Sequence, residues 1–214
     1  MRQSTRAEAL NCWPPFPGCT EPYFDHRYEH VKHVEVNAKK LHGLYGGDLE
    51  VILASVWVHD RAKFQGDHAK KAAQWARENL AATGFPAEKV EAVAYAVEHH
   101  GGWEIVDSNR LQTMEAQILW DADKLAHCGP AYILDLYVYF TSRKTCERDK
   151  RSINIQFHES ISSENFLAGF AGFVDGTRGE REGKLFYFPA SKEMAAQYRE
   201  TTRMFYENLT EQWR

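Results

Sequence analysis

Apolar positions recur at helical rather than alternating spacing along most of the chain. Between Asp25 and about Tyr45, His30, Val34, Ala38 and Leu41 fall on one face, and Gly43 with Gly46-Gly47 supplies the stop. This puts His30 on the inward face. A second helix is predicted after Asp48, a residue suited to an N-cap, and its apolar run Val51-Ile-Leu-Ala-Ser-Val-Trp-Val58 leads into His59. A third covers roughly 67–83, with Asp67 as N-cap and Gly84 as its end. Pro86 suits the first turn of a fourth, in which Val90, Val93, Ala94 and Val97 form the apolar face; Gly101-Gly102 terminates it just after His99-His100. The fifth runs from about Leu111 to His127, Gly129-Pro130 breaks it, and Ala131 to Phe140 starts another.

Beyond residue 140 the pattern thins. Segments 146–160 and 163–171 read as helical in part, whereas Asp175–Gly183 is a loop leading into a short extended run, Lys184–Phe188, with room for a hairpin. A final helix is predicted from Ser191 as N-cap to Trp213. Residues 11–24 carry four prolines and four aromatics, which implies an ordered arm rather than a helix. The expected fold is all-α: an arm over 1–24, a helical-bundle core over 25–145, and a C-terminal helical extension over 146–214 packing on the same domain, with a small irregular insertion near 172–188.

Composition narrows the functional classes. A chain of 214 residues, 43% of them hydrophobic, can bury one substantial core. A net charge of −4 argues against a nucleic-acid polymer as partner, because backbone phosphates call for a basic excess, but it allows one small phosphate to be recognised. Cys12, Cys19, Cys128 and Cys146 form no Cys-x-x-Cys pair and are too sparse for a disulfide scaffold, so they read as reduced thiols of a cytoplasmic protein. The first residues carry charge without a following apolar stretch, and no run of about 18 apolar residues occurs, so neither a signal peptide nor a membrane span is expected. Histidine is abundant: of the ten, only His158 lies outside residues 25–130.

Several of these histidines stand where a metal site would need them. His59-Asp60 closes the apolar run of the second helix, with His30 upstream and Asp121-Ala-Asp123-Lys124 downstream. Two imidazoles and two carboxylates suit a divalent cation such as Mn²⁺, Fe²⁺, Co²⁺, Ni²⁺ or Zn²⁺; Mg²⁺ is also compatible. Neighbouring side chains on a helix diverge by roughly 100°. His59 and Asp60 can therefore share one ion only if it sits just beyond a helix end. A cation held this way brings the pKa of its water toward ~7, so metal-assisted hydrolysis near neutral pH is the chemistry the set supports.

The order His30, His59-Asp60, Asp123, with Lys63 three residues beyond the pair, resembles the HD-domain superfamily of metal-dependent phosphohydrolases. The similarity covers roughly residues 25–130: His30-Val-Lys-His-Val34 with Asn37-Ala38 and Leu41 is similar to the family's first helix, and Asp121-Ala-Asp-Lys-Leu125 to its last ligand helix. A weaker echo lies in Phe205–Trp213. Periodicity leaves Asp121 and Asp123 open as the fourth ligand; the resemblance assigns it to Asp123, with Asp121 orienting a ligand imidazole. It also implies that Lys63 supplies charge to a substrate phosphate, as Lys124, Arg61, Lys70 and Lys71 could. Lys63 stands where the nucleotide-monophosphatase members carry a glutamate, but the Gly66-Asp67 pair is similar to one in that subgroup and makes Asp67 the candidate general acid. His68 and the His99-His100 pair match places that hold extra ligands in two-metal members and touch substrate in one-metal members; the resemblance favours His99 and periodicity favours His100.

The implied function is a metal-dependent phosphohydrolase acting on a small phosphorylated substrate, a phosphomonoester or nucleotide, by attack of metal-activated water. A di-iron oxygenase of the same fold and a non-catalytic metal-binding regulatory protein are the alternatives. The residues leave open whether a second ion binds, and they leave open the oligomeric state.

Overall fold

A computed structural model of the chain describes residues 26–63, 66–132 and 185–211, and all regular structure among them is helical. The predicted arm, the helix beyond residue 132, the segments 146–160 and 163–171, and the insertion up to residue 184 lie outside the described residues. The helices are α1 (His26–Tyr45), α2 (Leu49–Val58), α3 (His68–Asn79), α4 (Val90–Glu98), α5 (Met114–Ala126) and α6 (Pro189–Glu211). Short 3₁₀ turns lie at Ala81–Thr83, Ala87–Lys89 and Asp107–Asn109. None of the described helices is long and apolar enough to cross a membrane.

The central element is α2, as its unbroken apolar run requires. A helix buried on one face shows one stripe, whereas α2 buries Val51, Ile52, Ala54, Ser55, Val56, Trp57 and Val58, so it must be surrounded. It is packed by α1, α4 and α5. Asp48 starts it as predicted, its carboxylate accepting from the backbone N–H groups of Glu50 (3.0 Å) and Val51 (3.3 Å). Trp57 donates its indole N–H to Glu35 of α1 at 2.9 Å, which satisfies a buried carboxylate and fixes the two helices against each other.

The α1 face is the predicted one: Val34, Ala38 and Leu41 are fully buried and His30 lies among them. α5 buries every residue from Ile118 to Ala126, including Asp121, Asp123 and Lys124. Each leucine on it, Leu119 for example, stabilises by about 1.5–3 kcal/mol on burial. Three buried charged groups on one helix demand partners, and those partners organise the site.

Several expectations are revised: α3 ends at Asn79, short of the expected 83, and α4 begins at Val90 after a 3₁₀ turn over Ala87–Lys89 rather than at Pro86. α5 begins at Met114 rather than Leu111, because the Thr113 hydroxyl caps it by accepting from Ala116 N–H at 3.2 Å. α6 begins at Pro189, whose missing N–H suits a first helical position, so Ser191 lies inside the first turn instead of capping it. Residues 185–188 form no strand: the N–H groups of Tyr187 and Phe188 donate to the Asp121 carboxylate at 2.9 and 3.0 Å, and the Leu185 carbonyl accepts from Trp120 Nε1 at 2.8 Å. α5 thus takes the hydrogen bonds that a partner strand would have taken.

Candidate metal centre

Four donors from three helices converge. α2 ends at Val58, and the turn that follows, held by Arg61 N–H to Val58 O (2.9 Å) and Lys63 N–H to Asp60 O (3.0 Å), turns His59 and Asp60 toward one point. α1 brings His30 and α5 brings Asp123. His30 Nε2 is 3.1 Å from Asp123 Oδ1 and 3.9 Å from Asp60 Oδ2, and His59 Nε2 is 3.8 Å from Asp60 Oδ2 and 3.9 Å from Asp123 Oδ1. Around one ion with bonds of ~2.0–2.3 Å, donor atoms sit roughly 3 to 3.8 Å apart. The set therefore has the spacing of a coordination shell with little movement required.

The imidazoles are set for ligation by the backbone. A carbonyl only accepts, so the 2.7 Å contact of His59 Nδ1 with Val56 O and the 2.6 Å contact of His100 Nδ1 with Val97 O place the proton on Nδ1 and the lone pair on Nε2. Burial pushes the His59 pKa down to about 3, against the opposing pull of Asp60, so the ring is neutral. Its Nε2 is buried with no hydrogen-bond partner among the described residues. Leaving such an acceptor unmet costs about 1–3 kcal/mol, a cost that a bound cation would remove. On orphaned acceptor, donor types and spacing, these residues fit a divalent metal.

Asp123 has its second oxygen occupied. Lys124 Nζ, almost fully buried, donates to Asp123 Oδ2 at 2.7 Å and to the His100 carbonyl at 2.9 Å, and lies 4.5 Å from the Trp120 ring centroid. Burial raises the Asp123 pKa, but Lys124 and His30 outweigh it and hold the group well below the carboxylate range. Oδ1 is thereby left ionised and aimed at His30. Lys124, counted from sequence among the cations for a substrate phosphate, is instead an internal counter-ion of α5.

Asp121, expected to orient a ligand imidazole, faces the other way. It receives the N–H groups of Tyr187 and Phe188, and so anchors the start of α6; burial raises its pKa to about 6 despite those bonds. Backbone carbonyls do the orienting instead.

The second oxygen of Asp60 faces a different group. Oδ1 accepts from Lys63 Nζ at 3.1 Å and lies 3.6 Å from His68 Nε2 and 3.7 Å from His100 Nε2. Asp60, His68 and His100 form a second set with metal-ligand spacing that shares a carboxylate with the first. Periodicity chose correctly between the adjacent histidines: His100 is buried, whereas His99 is exposed and turns Nδ1 to the Tyr95 carbonyl at 2.9 Å. Asp67 stands at the N-cap of α3, exposed, with φ +55° and no side-chain cap bond, so the predicted capping interaction is not made.

Sequence reasoning passed over His127. It lies four residues after Asp123, on the same face of α5, donates Nδ1–H to the Asp123 carbonyl at 2.7 Å, and joins His30 and Asp123 in a third group of possible ligands. Burial brings its pKa to about 3. The i, i+4 spacing was the available signal. Ring centroids then run His68–His100 (5.3 Å), His100–His59 (5.0 Å), His59–His30 (5.6 Å) and His30–His127 (4.9 Å), a continuous arc of imidazoles.

A family model for the HD domain matches residues 27–127. No curated protein matches the chain. Among solved structures, a predicted HD superfamily hydrolase from an uncultured Thermotogales bacterium shares 18% identity at a TM-score of 0.61, over 100% of this chain and 91% of its own. A Lactobacillus plantarum protein shares 19% at 0.56, over 99% and 96%. An HD-superfamily hydrolase from Bacillus thuringiensis shares 16% at 0.55, over 100% and 98%. His30, His59, Asp60 and Asp123 all fall inside the span, residues 27–127, that matches the HD domain.

Proposed function

We propose that this protein is a metal-dependent phosphohydrolase that cleaves a small phosphomonoester or nucleotide. The observation that carries this reading is the convergence of His30, His59, Asp60 and Asp123 to donor separations of 3.1–3.9 Å. A divalent cation bound there supplies Lewis acidity to a phosphoryl oxygen and a water of lowered pKa. The rest falls to the chain. Lys63, 40% exposed at its side chain and braced on Asp60, places an ammonium beside the reacting group, where it offsets charge on phosphate oxygens. Asp67, exposed and engaged in no cap bond, is the candidate to hand a proton to the leaving oxygen.

The test is phosphate release from a panel of nucleotides and sugar phosphates. Release should vanish with chelator and return on adding a transition metal; full activity after complete demetallation would refute the mechanism. Asp67→Asn should lower kcat more than it raises KM, with the melting temperature unchanged.

A second reading draws on the Asp60 Oδ1–His68–His100 group. If it takes a second cation, His68→Ala removes one metal equivalent and leaves the other. Two irons together with no phosphate release would favour oxidation of a substrate by dioxygen instead.

A further inference from the structure

Trp103 is an aromatic side chain held at the edge of the histidine arc. It follows His100 by three residues, yet its ring meets the opposite end of the arc, edge to face with His127 at 5.1 Å between centroids. The loop between them bridges the Asp123 side of the centre. Gly102 makes this path possible: its φ is +108°, and a Cβ there would sit 3.3 Å from Trp120 Cη2, so the backbone lies directly against that indole. Lys124, which is bonded to both Asp123 Oδ2 and the His100 carbonyl, lies over the Trp103 ring at 5.5 Å. Despite these contacts Trp103 remains 43% exposed.

An indole fixed by an ammonium on its π-face and by an imidazole at its side loses little conformational freedom when a second planar group lies on it. Its place decides what that group belongs to. One ring, His127, separates Trp103 from the ligand imidazole of His30. Trp103 thus lies two ring-to-ring steps, of 5.1 Å and 4.9 Å, from the imidazole of His30, close enough for one small molecule to touch both the indole and the metal centre.

We propose that Trp103 is the base-stacking platform of this site and that the substrate is a nucleotide rather than a plain sugar phosphate. The phosphate end of this inference rests on the phosphohydrolase reading, while the stacking end does not. Stacking of a base on an aromatic side chain corresponds to roughly 5- to 150-fold in affinity.

Equilibrium binding of adenosine 5′-monophosphate and of ribose 5-phosphate to the full-length, chelator-treated protein tests it without turnover. The nucleotide should bind tighter by a factor in that range, Trp103→Ala should erase the preference, and Trp103→Phe should retain most of it. Equal affinity of the wild type for the two probes, or a preference that survives Trp103→Ala, would overturn the proposal. Trp103 is partly exposed, so both variants should stay folded, with a melting temperature close to that of the wild type. A nucleotide preference without any metal-dependent phosphate release would uphold the platform and defeat the phosphohydrolase reading; release without preference would do the reverse.

Discussion

A ligand imidazole inside a protein must be neutral and must have its proton on the correct nitrogen. His59 meets both conditions through its own helix: burial excludes the charged form, and the Val56 carbonyl claims Nδ1–H. The two aspartates of α5 divide on the same logic of partners. Asp123 has one oxygen neutralised by Lys124 and one facing His30, so Asp123→Asn should abolish metal retention, measured as metal per chain after gel filtration. Asp121 has both oxygens on backbone N–H groups. Asp121→Asn can accept only one of them, and should cost about 1–3 kcal/mol of stability with metal content unchanged. The converse pattern, metal lost in Asp121→Asn and retained in Asp123→Asn, would exchange their roles. Helical spacing in the sequence placed both on buried faces but could not separate them, because the deciding partners are Lys124, one position away, and residues 187 and 188, contributed by a distant part of the chain.

At the level of elements, the site depends on where helices stop. His59 and Asp60 share a focus because α2 ends at Val58, and the end of α2 is fixed relative to its start. Asp48 holds that start with its carboxylate, reinforced by Lys89 at 2.7 Å. Asp48→Ala should lower stability by about 0.5–2 kcal/mol, read as a fall in melting temperature, while the metal content stays at the wild-type value. The α2 cap and end, the α1 face and the inward side of His100 were legible because each depends on residues close in sequence. The form of residues 185–188 was not. Their composition favours an extended run, and only the carboxylate of Asp121 and the indole of Trp120, far away along the chain, decide that they bend instead.

Across the whole molecule, burial of the histidine arc ties folding to pH. In the metal-free protein, His59 and His127 have pKa values pushed down to about 3 from an ordinary 6.5, so between those limits the unfolded chain binds protons that the folded chain refuses. Their contribution is fully present above pH 6.5 and is lost as pH falls toward 3. Asp121 opposes this: its pKa is raised from 3.8 to about 6, so its share of stability is present below 3.8 and lost as pH rises through 6. Between pH 6.5 and 6 only the imidazoles act, and below 6 two of them still outweigh one carboxyl. The melting temperature of chelated protein should therefore fall on going from pH 7.5 to 5, more gently in the lower part of that range. His127→Gln, which keeps an N–H for the Asp123 carbonyl but cannot titrate, should flatten the fall. Because these imidazoles are neutral in the folded protein down to about pH 3, a saturating metal should raise the melting temperature at both ends of this range. A melting temperature that stays level or rises toward pH 5 in the chelated protein would mean that the arc is already protonated when folded, and that His59 is not held as a ligand.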